Sequence, residues 1–166
     1  AILIPFFIQF AQMPGQQVGR ETMVLIPMMA PFFALFTLIL AMTSIGQEGQ
    51  AVINVYASPI LPSQFLGGKL FSSLLVSLPF NVVLTALLLT VSGAQPELWA
   101  AFITITLSLT VESAFIGLAI GCSQPDFTEG PRTRFVSMKG WIVAQLVFWG
   151  SALSSVAPVA FYVFSP

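Results

Sequence analysis

The sequence predicts an all-α fold, a polytopic transmembrane helical bundle, and three observations predict it. Hydrophobic residues make up 57% of the chain and charged residues only 7%, far from the balance of a soluble domain. The apolar residues gather into runs of about 20 or more, the length a helix needs to cross a hydrocarbon core about 30 Å thick. Alternation with a period of two is absent, which argues against a transmembrane barrel.

Residues 1–10 are apolar but too short to span, so they read as an N-terminal partial span, and residues 11–21 as a loop. Residues 22–44 carry no charge and form the first full span, bent near its start by Pro27 and Pro31. The next stretch, 45–69, cannot lie in hydrocarbon: Glu48 is ionised, Gln47, Gln50 and Asn54 are polar, and Pro59 and Pro62 break a helix. Within it Ala51, Val52, Val55 and Tyr56 recur at helical spacing, with Glu48, Gln50 and Asn54 elsewhere. This pattern predicts a short cytoplasmic amphipathic helix over 47–57, lying at the membrane surface.

Ser63 is a candidate N-cap for the second span, 70–91, in which Pro79 predicts a kink. Gly93 and Pro96 mark a turn over 92–97. The third span, 98–121, contains one ionisable residue, Glu112. A second sizeable polar loop covers 122–139, and a fourth span covers 140–164 with Gln145 and Pro158 inside it. Four full spans plus the partial one make a single transmembrane domain over residues 1–166. The two larger loops are two spans apart and so face one side. They hold Lys69, Arg132, Arg134 and Lys139 against Arg20 alone on the other, which predicts that both are cytoplasmic.

The same composition excludes several function classes. A net charge of -1 with five basic residues leaves no footprint for nucleic acid. The chain has no histidine and a single cysteine, Cys122, so no metal site, no intrinsic cofactor and no catalytic centre is expected. Gly68-Lys69 is not part of a phosphate-binding loop, because that pattern requires glycine where Ser63 stands. Since nearly every span is apolar, no substrate pocket is drawn from the sequence.

Two passages resemble the permease subunits of type-2 ABC exporters, membrane transporters driven by a separate ATPase. The first is Gly46-Gln47-Glu48-Gly49, then Ser58-Pro59-Ile60-Leu61-Pro62, then Leu66-Gly67-Gly68-Lys69-Leu70. It looks like the family's cytoplasmic Glu-Gly segment, Pro-Ile turn and Gly-Lys helix entry. The second runs from Gly117-Leu118-Ala119-Ile120-Gly121 to Pro125-Asp126-Phe127, Glu129 and Pro131, similar to the family's glycine-rich helix end and Pro-Asp-Phe loop. Gln47 stands where members often carry a basic residue, and Gly130-Pro131 where they carry Asn-Pro.

The resemblance implies that residues 47–57 are a coupling helix docked on the ATPase, with Glu48, Gly49, Val52, Val55 and Tyr56 as its coupling residues. It also implies an ABC ATPase subunit and a second permease half as partners, besides membrane lipid, and a place in the cell membrane. As the chain opens and closes within apolar runs, a piece of a longer permease is expected.

Each of these residues also has a plainer role. Glu48 suits a helix start, where the macrodipole favours a carboxylate, and Lys69 suits snorkelling to headgroups. Gly117 and Gly121 form a GxxxG that serves packing within the chain or dimerisation. Glu112, near mid-membrane, is either part of a translocation path or an interhelical strut, protonated or hydrogen-bonded to Gln145 or to Ser and Thr neighbours. Arg132, Arg134 and Lys139 set topology or meet an acidic patch on the ATPase. A proton-coupled secondary transporter or a channel component is the alternative function, with Glu112 as the proton carrier.

Overall fold

A computed structural model of the chain describes residues 20–49, 59–94, 96–126 and 135–164. Four helices account for nearly all of them: α1 Arg20–Gly46, α2 Pro62–Val91, α3 Pro96–Ser123 and α4 Met138–Phe164. Each contains a stretch long and apolar enough to cross a membrane, namely Met28–Gly46, Pro62–Val91, Trp99–Ser123 and Met138–Ala157. The expected helical bundle with four spans is therefore the fold. The partial span at 1–10 lies outside the described residues.

All four helices exceed their expected limits, and the prolines explain part of the difference. Pro62 does not interrupt a loop that runs to residue 69. It is the first residue of α2, where a missing N–H has no helical partner to lose. Ser63 is thus inside the helix and Leu61 occupies the cap. Leucine has no side-chain acceptor, so only half of a capping box forms: the Gln64 Oε1 accepts from the Leu61 N–H at 3.3 Å. Pro96 opens α3 in the same manner, which shortens the turn expected over 92–97.

Gly93 sits between α2 and α3 with φ of 64°, in the left-handed region. It permits a Schellman closure in which Gly93 N–H donates to the Thr90 carbonyl and Ala94 N–H to the Leu89 carbonyl. The Trp99 indole N–H then donates to the Ala94 carbonyl at 3.1 Å and ties the turn to α3. At the other end of the bundle α4 starts at Met138, two residues before the expected Gly140, because Ser137 caps it. The Ser137 Oγ accepts from the Gly140 N–H at 3.1 Å and donates to the Gln124 Oε1 at 2.7 Å.

At the centre of the bundle α1 and α3 run parallel and close. A Cβ built on Gly117 would lie 2.6 Å from the Leu38 carbonyl oxygen, and one on Gly121 would collide with the Met42 carbonyl. Four residues along α3 thus correspond to four along α1, and the GxxxG serves packing within this chain. α2 joins the pair through Phe33, Leu88, Leu89, Ala94 and Phe102. A separate stripe carries α4 through Ala30, Ala34, Leu38, Leu109, Phe148 and Ala152.

The distribution of polarity identifies the surrounding medium. On α2, Phe71, Leu75, Phe80, Val83 and Leu87 point outward and are about half exposed or more, whereas Ser73, Ser77, Asn81 and Thr85 are buried. A helix with large apolar side chains outside and polar ones inside is stable where its solvent is hydrocarbon. The chain is a membrane protein.

Candidate functional site

Two places in the bundle concentrate chemistry. The first is the end where the two larger loops leave the helices. α1 stops at Gly46, and residues 47 and 48 turn the chain through bonds from Gln47 N–H to the Thr43 carbonyl and Glu48 N–H to the Ile45 carbonyl. Glu48 therefore follows a helix C-terminus, where the macrodipole disfavours a carboxylate, while the surface helix whose start it was expected to mark falls largely outside the described residues.

Lys69, two turns into α2, offsets that. Its ammonium makes an ion pair with the Glu48 carboxylate and lies 5.6 Å from the centroid of the Phe65 ring. So Lys69 is engaged within the protein instead of snorkelling free. With both side chains partly exposed, the pair contributes at most about 1 kcal/mol. Its geometric effect is greater, since it joins the two ends of the segment between α1 and α2.

Gly49, next in line, is buried with φ of 57° and needs glycine for that conformation. Val52, Val55 and Tyr56, with the rest of the expected surface helix from residue 50 to 57, lie outside the described residues.

The second loop meets the first at this end. Pro125 and Val136 form an antiparallel bridge, with Asp126 N–H donating to the Phe135 carbonyl and Ser137 N–H to the Gln124 carbonyl, both at 3.1 Å. The neck so formed sets the Phe135 carbonyl where a side chain on Gly46 would have to stand. Pro125 and Asp126 of the second sequence passage are thereby held close to the Gly46 of the first, while Phe127 lies outside the described residues.

The second place was not legible as a site in the sequence. Ser73, Ser77, Asn81 and Thr85 follow one another at every fourth residue of α2 and face α1 and α3 as a buried polar seam. Asn81 is its node. It is fully buried, and its Nδ2 donates to the Thr37 Oγ1 of α1 at 3.2 Å and the Thr110 Oγ1 of α3 at 2.8 Å. One helical turn on, the Thr85 hydroxyl donates to the Thr106 Oγ1 at 3.1 Å.

These cross-helix bonds are each worth roughly 0.6 kcal/mol in a membrane, up to about 1.7. The Asn81 Oδ1 is buried without a partner among the described residues. The signal that would have revealed the seam is the spacing of four small polar residues by four, which places them on one helix face.

Glu112 and Gln145, expected as a path or a strut, are not joined. Both are half-buried, and no hydrogen bond links them. Chain direction explains the mismatch: Gln145 is in the second turn of α4, near the loop end, whereas Glu112 is 11 residues from the loop end of α3. The α4 residues at the depth of Glu112 are Phe148, Trp149 and Ala152, which pack around Ile105, Leu109 and Ile116 of α3. Among the described residues no three His, Cys, Asp or Glu side chains are grouped to hold a metal ion. Comparison with family models, curated proteins and solved structures finds no match.

Proposed function

We propose that this chain is the membrane-spanning permease component of an ABC exporter, moving a substrate across the cell membrane with energy from a separate ATPase subunit. The observation that carries the reading is the convergence of the two motif-bearing loops at one end of the bundle. There Gly46 abuts Phe135 and Glu48 pairs with Lys69. A push on either loop is delivered to α1 and α2 together, which is what coupling to a hydrolysis cycle requires. In this reading the converging loops face the cytoplasm, residues 47–57 dock on the ATPase, and the chain itself has no catalytic site or cofactor.

Sidedness has a direct measurement. With Cys122 replaced by alanine, cysteines introduced at Gln50 and Thr133 are expected to resist an impermeant thiol reagent in intact cells and to react after permeabilisation. Labelling of both in intact cells would reverse the topology.

Coupling is tested by charge. Glu48→Lys and Val52→Asp are each expected to reduce copurification with the ATPase and ATP-driven transport, with membrane insertion unchanged. The swap Glu48→Lys with Lys69→Glu restores the ion pair. Recovery of transport assigns Glu48 to holding the loop ends together, and continued loss assigns it to direct contact with the ATPase. Copurification and transport unaffected by all three variants would refute the coupling assignment.

A second reading, a proton-coupled secondary transporter or channel component, is favoured by Glu112 alone, a mid-span carboxylate without a hydrogen bond among the described residues. Proteoliposomes separate the two. Transport driven by a proton gradient without the ATPase supports the second reading, and dependence on ATP supports the first.

A further inference from the structure

The eight buried polar side chains among the described residues all belong to α1, α2 and α3. Seven are hydroxyls, and six of these spend their proton. Ser73, Ser77, Thr106, Thr110 and Ser113 give it to a carbonyl three or four residues back, and Thr85 gives it to Thr106. Thr37 is the exception: it accepts from the Asn81 Nδ2 at 3.2 Å, and its own proton meets no acceptor among the described residues. Asn81 is the eighth, and its Oδ1 meets no donor among them. The seam thus leaves over one donor and one acceptor, on two fully buried residues that touch.

Turning the amide over does not join them. The Oδ1 would then face Thr110, whose proton is committed to the Thr106 carbonyl, and the Nδ2 protons would lose both acceptors. The next layer does not supply the missing donor either. The Thr85–Thr106 and Asn81–Thr110 bonds step by four in opposite directions along α2 and α3, which sets Ser77 beside Ala114 one turn on. On α1 the corresponding turn brings Ala41 there. All three are small and fully buried. The alanines have nothing to donate, and the Ser77 hydroxyl, its proton spent on the Ser73 carbonyl, keeps only the capacity to accept.

We propose that this layer binds one water molecule. The water accepts the Thr37 proton and donates to the Asn81 Oδ1 and the Ser77 Oγ, and about three bonds are the usual complement of a buried water. The leftover groups select that ligand, since whatever binds there must accept one proton and donate another. A metal cation or an ammonium has no acceptor for the Thr37 proton. Hydrocarbon offers neither donor nor acceptor, and ordered water is one of the few means of satisfying polar groups within a span. The site joins α2 to α1 and holds whichever transport mechanism the chain serves.

The chain contains only two asparagines, Asn54 and Asn81, so Asn54→Gln leaves a single asparagine amide to isotope-label. In proteoliposomes, solid-state NMR that transfers magnetisation from water protons is expected to reach the Asn81 amide ahead of the methyls of Leu89 and Ala152, which are fully buried in the apolar clusters. Thr37→Val keeps the shape of the side chain and removes the donor, so it should abolish the early transfer, and Thr37→Ser should restore it.

Transfer to Asn81 no earlier than to those methyls overturns the proposal without recourse to any Thr37 variant. Early transfer that persists in folded Thr37→Val overturns the bridge from Thr37 to Asn81. An Asn81 resonance that moves when sodium replaces choline in the buffer overturns water in favour of a bound cation.

Discussion

Replacing Gly121 with leucine is expected to separate α1 from α3 and to cost about 3 kcal/mol or more of stability, the upper range for overpacking a closed contact. The reason lies in what the new side chain meets. Even a Cβ at Gly121 would collide with the Met42 carbonyl, and one at Gly117 would lie 2.6 Å from that of Leu38. Neither obstacle is a side chain able to rotate away, since both belong to the hydrogen-bonded backbone of a neighbouring helix. The two axes must move apart, which loosens the apolar clusters that α2 and α4 build on this pair. Gly150 supplies the control, because a Cβ there meets nothing within 4 Å and Gly150→Ala should be nearly neutral. Thermal unfolding followed by size exclusion in detergent reads both variants, and an unchanged midpoint for Gly121→Leu would refute the account.

Asn81→Asp is expected to be nearly as damaging although it alters only one atom of the side chain. Both Nδ2 protons of Asn81 are used, one on Thr37 and one on Thr110, and Thr110 already gives its own proton to the Thr106 carbonyl. An ionised aspartate would face the Thr110 oxygen with no donor from it, in a position of zero exposure. The neutral acid has one proton where two are needed. Burying the charge costs at least about 2.5 kcal/mol, and the neutral form forfeits one interhelical bond of roughly 0.6 kcal/mol. Stability of Asn81→Asp should therefore be lower at neutral pH than in acid, where the carboxyl can be protonated. Equal unfolding midpoints for the variant and the parent chain across that range would show that Asn81 is not the node of the seam.

Much of the fold was legible in the sequence because a bilayer imposes a length and a polarity on every span. Chemistry near the loops was legible in part. Pro125 and Asp126 were marked, and the structure brings them near Gly46, whereas the pairing of Glu48 with Lys69 was not foreseen. That pair joins residues separated by 21 positions, and no local pattern predicts such a contact. The seam on α2 escaped notice because serine, threonine and asparagine count as minor interruptions of an apolar run when hydropathy is summed along it. Their common face becomes evident only when the spacing by four is followed.

The sequence by itself determined that there are four spans, that they are helical and that two polar loops leave them on one side. A chain in hydrocarbon must satisfy every backbone group within its own helix, and each span's composition suffices to require that. The tertiary structure alone decided which faces meet. Lipid is as apolar as leucine, so burial of apolar surface does not select a partner helix as it does in water. Selection fell to close approach at Gly117 and Gly121, to donors and acceptors matched across helices at Asn81, Thr37 and Thr110, and to the ion pair of Glu48 with Lys69. Each of these is a relation between distant residues, fixed by complementary geometry that exists only once the helices are side by side.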